Sequence, residues 1–112
     1  MSAVSRLNDS IRGMTSGEHS SHDDPPCTPS TLTGFISGNC SDFVFINNVP
    51  VATVGSITTE YDSCCGQDNG VIVSGSTLVS VSNKALARVG SVVSPHNGSA
   101  TVTSGSDFVF TE

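Results

Sequence analysis

Residues 40–56 read "CSDFVFINNVPVATVGS" and residues 75–91 read "GSTLVSVSNKALARVGS". Laid over one another at an offset of 35, Ser41, Val44, Asn48, Ala52, Val54, Gly55 and Ser56 recur as Ser76, Val79, Asn83, Ala87, Val89, Gly90 and Ser91. Self-similarity at a fixed period marks a repeat architecture, in which each unit buries its apolar face only against its neighbours. A third copy opens at "GSDFVFTE" (Gly105–Glu112), 30 residues further on, and stops after its first strand. Its second strand is found at the other end of the chain. "SAVSRLNDS" (Ser2–Ser10) resembles "KALARVGS" (Lys84–Ser91), with Ala3, Arg6 and Leu7 falling on Ala85, Arg88 and Val89. The chain therefore reads as a three-fold repeat cut inside one unit, whose C-terminal and N-terminal strands together complete the third hairpin.

Each unit follows the same local logic. A short β-rich run comes first, Phe43–Ile46 in one copy and Phe108–Thr111 in another. A turn follows, "NNVP" (Asn47–Pro50) or "SNKA" (Ser82–Ala85), in which Asn tolerates positive φ. An alternating strand, "VATV" or "LARV", ends on a Gly-Ser pair, and a polar, irregular loop is expected to lead to the next unit. Helical periodicity is absent. The expected fold is all-β: a small, conical, three-fold pseudo-symmetric β-hairpin repeat within one domain, residues 1–112. Its units are 105–112 plus 2–10, 40–56 and 75–91, and its loops are 11–33, 57–70 and 92–99.

Composition agrees. Charged residues make up 12% and aromatics 5% of the chain, which is no helical mixture. A net charge of −6 with only four Lys and Arg excludes a basic nucleic-acid groove. No stretch approaches the ~18 apolar residues of a membrane helix, and "MSAVSRLNDS" carries no secretory pattern, so synthesis in the cytoplasm is expected. Without a secretory context the four cysteines read as metal ligands or plain thiols sooner than as disulfides.

The loops carry the chemistry. "SIRGMTSGEHSSHDDPPCTPS" holds His19, His22 and Cys27; "ITTEYDSCCGQDNG" holds Cys64 and Cys65; "VVSPHNGS" holds His96. Every histidine and three of the four cysteines thus lie in equivalent inter-unit loops, which three-fold symmetry would bring to one end. Imidazole and thiolate donors suit a tetrahedral Zn²⁺ site, and iron accepts the same donor types. The expected ligands are His19, His22, Cys65 and His96, one ion per chain, with Cys65 preferred to Cys64 because it sits nearest His96 in register. Cys27 and Cys40 read as buried or bystander thiols. The His-Ser-Ser-His spacing is not a zincin helix, and no nucleophile elbow, phosphate loop or matched carboxylate pair occurs. An enzyme is not expected. Two other classes stay in view: a metal-free β-structural or adhesin-type binding module, and a small zinc hydrolase with an open coordination position.

"ALAR" (Ala85–Arg88), "AVSR" (Ala3–Arg6) and "PVAT" (Pro50–Thr53), each set between a Gly-Ser or Cys-Ser strand start and an Asn-Asp or Gly-Ser stop, resemble the PAAR repeat. The resemblance covers essentially the whole chain. It implies a sharp β-cone with a metal near its point, held by three His and one Cys. It also implies a partner: the cone base caps a trimeric β-helical spike, one tip per three spike chains. The job implied is the piercing tip of a contractile phage tail, or of a type VI or related secretion machine, touching the target cell envelope only transiently. No copy spells Pro-Ala-Ala-Arg literally.

Overall fold

The computed structural model describes residues 2–15, 31–62, 66–95, 98–106 and 109–111. Among these there is no helix, and the molecule measures 44 × 24 × 23 Å, with two nearly equal short axes. Twelve strands follow in order: β1 (Ser2–Ala3), β2 (Ser10–Met14), β3 (Thr31–Gly38), β4 (Phe45–Ile46), β5 (Val49–Pro50) and β6 (Ile57–Asp62), then β7 (Gly66–Ile72), β8 (Ser80–Val81), β9 (Lys84–Ala85), β10 (Val92–Ser94), β11 (Ser99–Val102) and β12 (Phe110–Thr111).

Three two-stranded hairpins form the base: β4–β5, β8–β9 and β12–β1. In the last, Ser2 faces Thr111 and Ala3 faces Phe110, so strands from opposite ends of the sequence occupy the place that a tight turn closes elsewhere. The two continuous hairpins turn at Asn47-Asn48 and Ser82-Asn83, with all four residues at positive φ. That is the twist-matched turn type in which Asn is at home. The first runs are shorter than their apolar residues suggest. The Ser41 hydroxyl accepts the N–H groups of Phe43 and Val44, and the Ser76 hydroxyl those of Leu78 and Val79. These serine turns take the chain out of strand geometry and leave only two paired residues per strand. Under the hairpins Val4, Val51 and Leu86 form one small buried cluster about the axis.

The remaining six strands close into an antiparallel barrel in the order β10-β11-β2-β3-β6-β7. This corrects the expectation that 11–33, 57–70 and 92–99 are irregular loops: much of each is strand. The reason is chemical. On β6 the residues facing inward are Thr58 and Glu60, and on β7 Gly70 and Ile72 share a face, so polar residues line both sides and the usual alternation is hidden. Ile11, Leu32, Ile36, Ile72, Val93, Ala100 and Val102 fill the barrel and join Ala52 and Ala87 in a single core cluster.

Candidate functional site

The repeated words build the joint between base and barrel. Ser5, Ala52 and Ala87 are fully buried, and their backbones bond in a closed ring: Ser5 N–H to Ala87 C=O at 3.0 Å, Ala87 N–H to Ala52 C=O at 2.9 Å, and Ala52 N–H to Ser5 C=O at 2.9 Å. Three backbones can meet this closely only when their side chains are small, which is why each copy places Ala or Ser there. A second ring surrounds the first, from Leu7 to Pro50, Val54 to Ala85 and Val89 to Ala3.

Outside the rings the chain turns each corner alike. Asp9, Ser56 and Ser91 accept the N–H three residues back, at 2.6, 3.0 and 3.0 Å, through their side-chain oxygens. Asn8, Gly55 and Gly90 supply the positive φ that follows. Among the described residues only the first corner carries an ion pair: Asp9 also meets Arg6 Nε at 3.4 Å and accepts the Ser104 hydroxyl at 3.0 Å.

The barrel sets the rim. Antiparallel neighbours alternate in direction, so the hairpin ends of β2/β3, β6/β7 and β10/β11 all lie at the end away from the base. There Ser99 pairs with Met14 and Met14 with Thr31. A ring of six strands spaced ~4.8 Å apart is on the order of 10 Å across. The expected ligands His19, His22, Cys65 and His96, like Cys27 and Cys64, lie outside the described residues. Each sits in an interval whose flanking strands end on this one rim. The donor types, imidazole and thiolate, are those a closed tetrahedral site uses. Among the described residues no three His, Cys, Asp or Glu side chains gather.

One feature escaped the sequence reading: the inward-facing Glu60, buried completely beside Thr58. Alignment on the corners sets Thr58 against the buried Ile11 and Val93, and that register alone would have turned Glu60 inward. Cys40, expected as a buried or bystander thiol, is a half-buried free thiol packed against the main core, its pKa pushed up by burial and partly restored by the Ser56 hydroxyl.

The base presents a different surface. Phe43 and Leu78 are 80% and 79% exposed at equivalent positions, and Phe108, the third, lies outside the described residues. Val44, Val79 and Val109 are equally exposed to one another, and Phe45 and Phe110 stand beside them. No helix among the described residues is long and apolar enough to cross a membrane. Compared with protein families, residues 26–94 match the model described as the PAAR motif, more than half of the chain. A comparison with curated proteins gives no match.

Proposed function

The chain belongs to the PAAR-motif family, a family of structural spike tips in secretion and phage-tail machinery, and from that premise we propose that it caps a trimeric β-helical spike and sharpens it for piercing a cell envelope. The proposed setting is a phage tail, and the proposed role is mechanical rather than catalytic. The observation that carries the reading is the base. Apolar side chains stand exposed at equivalent places around the axis, Phe43 with Leu78 and Val44 with Val79 and Val109. Burying one such side chain contributes ~1.5–3 kcal/mol, so three equivalent contacts against a true trimer suffice for a firm cap. Each hairpin is a two-stranded sheet, so partner strands could continue the edges of β4, β8 and β12.

At the rim, His19, His22, Cys65 and His96 would hold one Zn²⁺, with iron as the other fit. When bound, the ion supplies folding energy that ties the three rim intervals together. Four protein donors leave no open position for a reacting water, which separates a tip from a zinc hydrolase.

The test is stoichiometry. Light scattering on the complex with the cognate spike should give one tip per three spike chains, and Phe43→Ser with Leu78→Ser should abolish the complex without lowering the melting temperature of the tip. Any other ratio, or a complex indifferent to the double change, defeats the proposal.

A further inference from the structure

The three sides of the base are not equal. Each hairpin turns one face to the axis, where Ile46 and Val81 pack against Val4, Val51 and Leu86 and where their equivalent, Thr111, is buried. Alternation along a strand sends the preceding residues, Phe45, Ser80 and Phe110, to the opposite, outer face. Phe45 and Phe110 are 52% and 48% exposed, and Ser80 is exposed as well. Across the hairpins these three face Pro50, Ala85 and Ala3. Two sides therefore carry an aromatic ring beside an apolar neighbour, and the third carries a hydroxyl.

The same unit departs again at its turn. Lys84 is exposed there, opposite Val81, where the other two hairpins place Val49 opposite Ile46 and Ser2 opposite Thr111. It is the only lysine of the chain. An ammonium is strongly hydrated and costly to cover without a partner. Ser80 and Lys84 thus keep one side of the base wet, while Phe45 and Phe110 leave apolar surface to be covered on the other two.

A trimeric spike presents three identical chains, so the same spike residues meet every side of the base. The exposed triplet Val44, Val79 and Val109 fits that symmetry, and Phe45, Ser80 and Phe110 break it. A group suited to an aromatic ring on two sides meets a hydroxyl and an ammonium on the third. We infer that the tip is held unequally: the Phe45 and Phe110 sides grip two spike chains, and the Ser80–Lys84 side rests on the third chain without an aromatic anchor. Ser80 is then the residue that keeps the affinity below what three aromatic sides would give. The inference rests on the spike-cap reading above.

Titration calorimetry of the full chain against the purified β-helical trimer of the spike from the same particle tests it. Ser80→Phe should tighten binding about 5–20-fold, and Phe45→Ser and Phe110→Ser should each weaken it by a similar factor. Lys84→Ala should change it less than about 3-fold. All four positions are exposed, so the free tip should melt as the parent does, which separates attachment from folding. Ser80→Leu replaces Ser80→Phe if that variant self-associates, and Thr, a better strand former, replaces Ser at 45 or 110 if melting falls. Binding of Ser80→Phe no tighter than the parent overturns the inference. So does an unchanged affinity in Phe45→Ser or in Phe110→Ser, and so does a large loss in Lys84→Ala, which makes the third side a charge-paired contact. A parent that leaves the trimer unbound, or binds it at a ratio other than one to three, overturns the spike-cap reading and this inference together.

Discussion

The base and the barrel obey the same three-fold backbone plan, but only the base repeats its residues. At the base, Ser41/Ser76/Ser106 and Val44/Val79/Val109 are identical triplets, and the axis carries Ser5, Ala52 and Ala87. In the barrel the equivalent inward positions are Ile11, Thr58 and Val93, then Gly13, Glu60 and Pro95. The corner bonds that tie base to barrel are nonetheless the same: Asn8, Gly55 and Gly90 N–H to Ile36, Ile72 and Val102 C=O, at 2.8, 2.9 and 2.9 Å. Backbone pairing alone suffices to hold a symmetric frame. Residue identity is held where side chains meet at the axis or, at the three valines, stand exposed on the base, and is released inside the barrel.

The rim offers the largest effect by which to break this comparison. His96→Ala should remove the ion and much of its contribution, which for structural zinc is on the order of 10 kcal/mol. Its melting temperature should fall far below that of the exposed Gln67→Ala control, and equal values would detach the rim from the stability of the cone. The barrel comes next. A Cβ at Gly34 would stand 2.0 Å from the Thr59 carbonyl oxygen, whereas one at Gly38, on the same strand, meets nothing within 4 Å. Gly34→Ala should therefore cost about 1–3 kcal/mol or more in urea unfolding, and Gly38→Ala close to nothing. If the two behave alike, the barrel is looser than its ladder implies.

The smallest effect belongs to Cys40, at the edge of the base. Its folded-state pKa is raised above the ordinary 9.0, chiefly by burial. The fold therefore favours the neutral thiol: its contribution is whole below pH 9.0 and is lost as pH climbs through the folded pKa. At pH 8 its alkylation, followed by peptide mass, should be slower in the native than in the unfolded protein. Equal rates would place the thiol in water.

The same contrast explains what was legible in the sequence. The three-fold β-hairpin plan could be read because Asn turns, serine starts and glycine stops recur, and because Ala3, Arg6 and Leu7 echo the second strand of a unit. The barrel reads as loop. Its strands carry Thr, Gln, Asn, Asp and Gly on both faces, and closure substitutes hydrogen bonds for apolar contrast. Glu60 was hidden for the same reason, since a lone acidic residue in "ITTEYD" looks solvated until the corner register turns it inward. The expected metal ligands can be read only as residue types in equivalent intervals; which of them meet is a matter of geometry that residue type does not carry.

The hairpin in which Ser2 faces Thr111 also has a consequence in time. Its partners are separated by almost the entire chain, and the axial ring likewise needs Ser5 beside Ala52 and Ala87. A nascent chain can complete two sides of the base while still being synthesised, but the third waits for residues 110 and 111 to emerge. Contacts of such range close slowly. Until they do, β1 is a strand without a mate, and a prematurely terminated chain would keep it so, with a base that lacks one of its three sides.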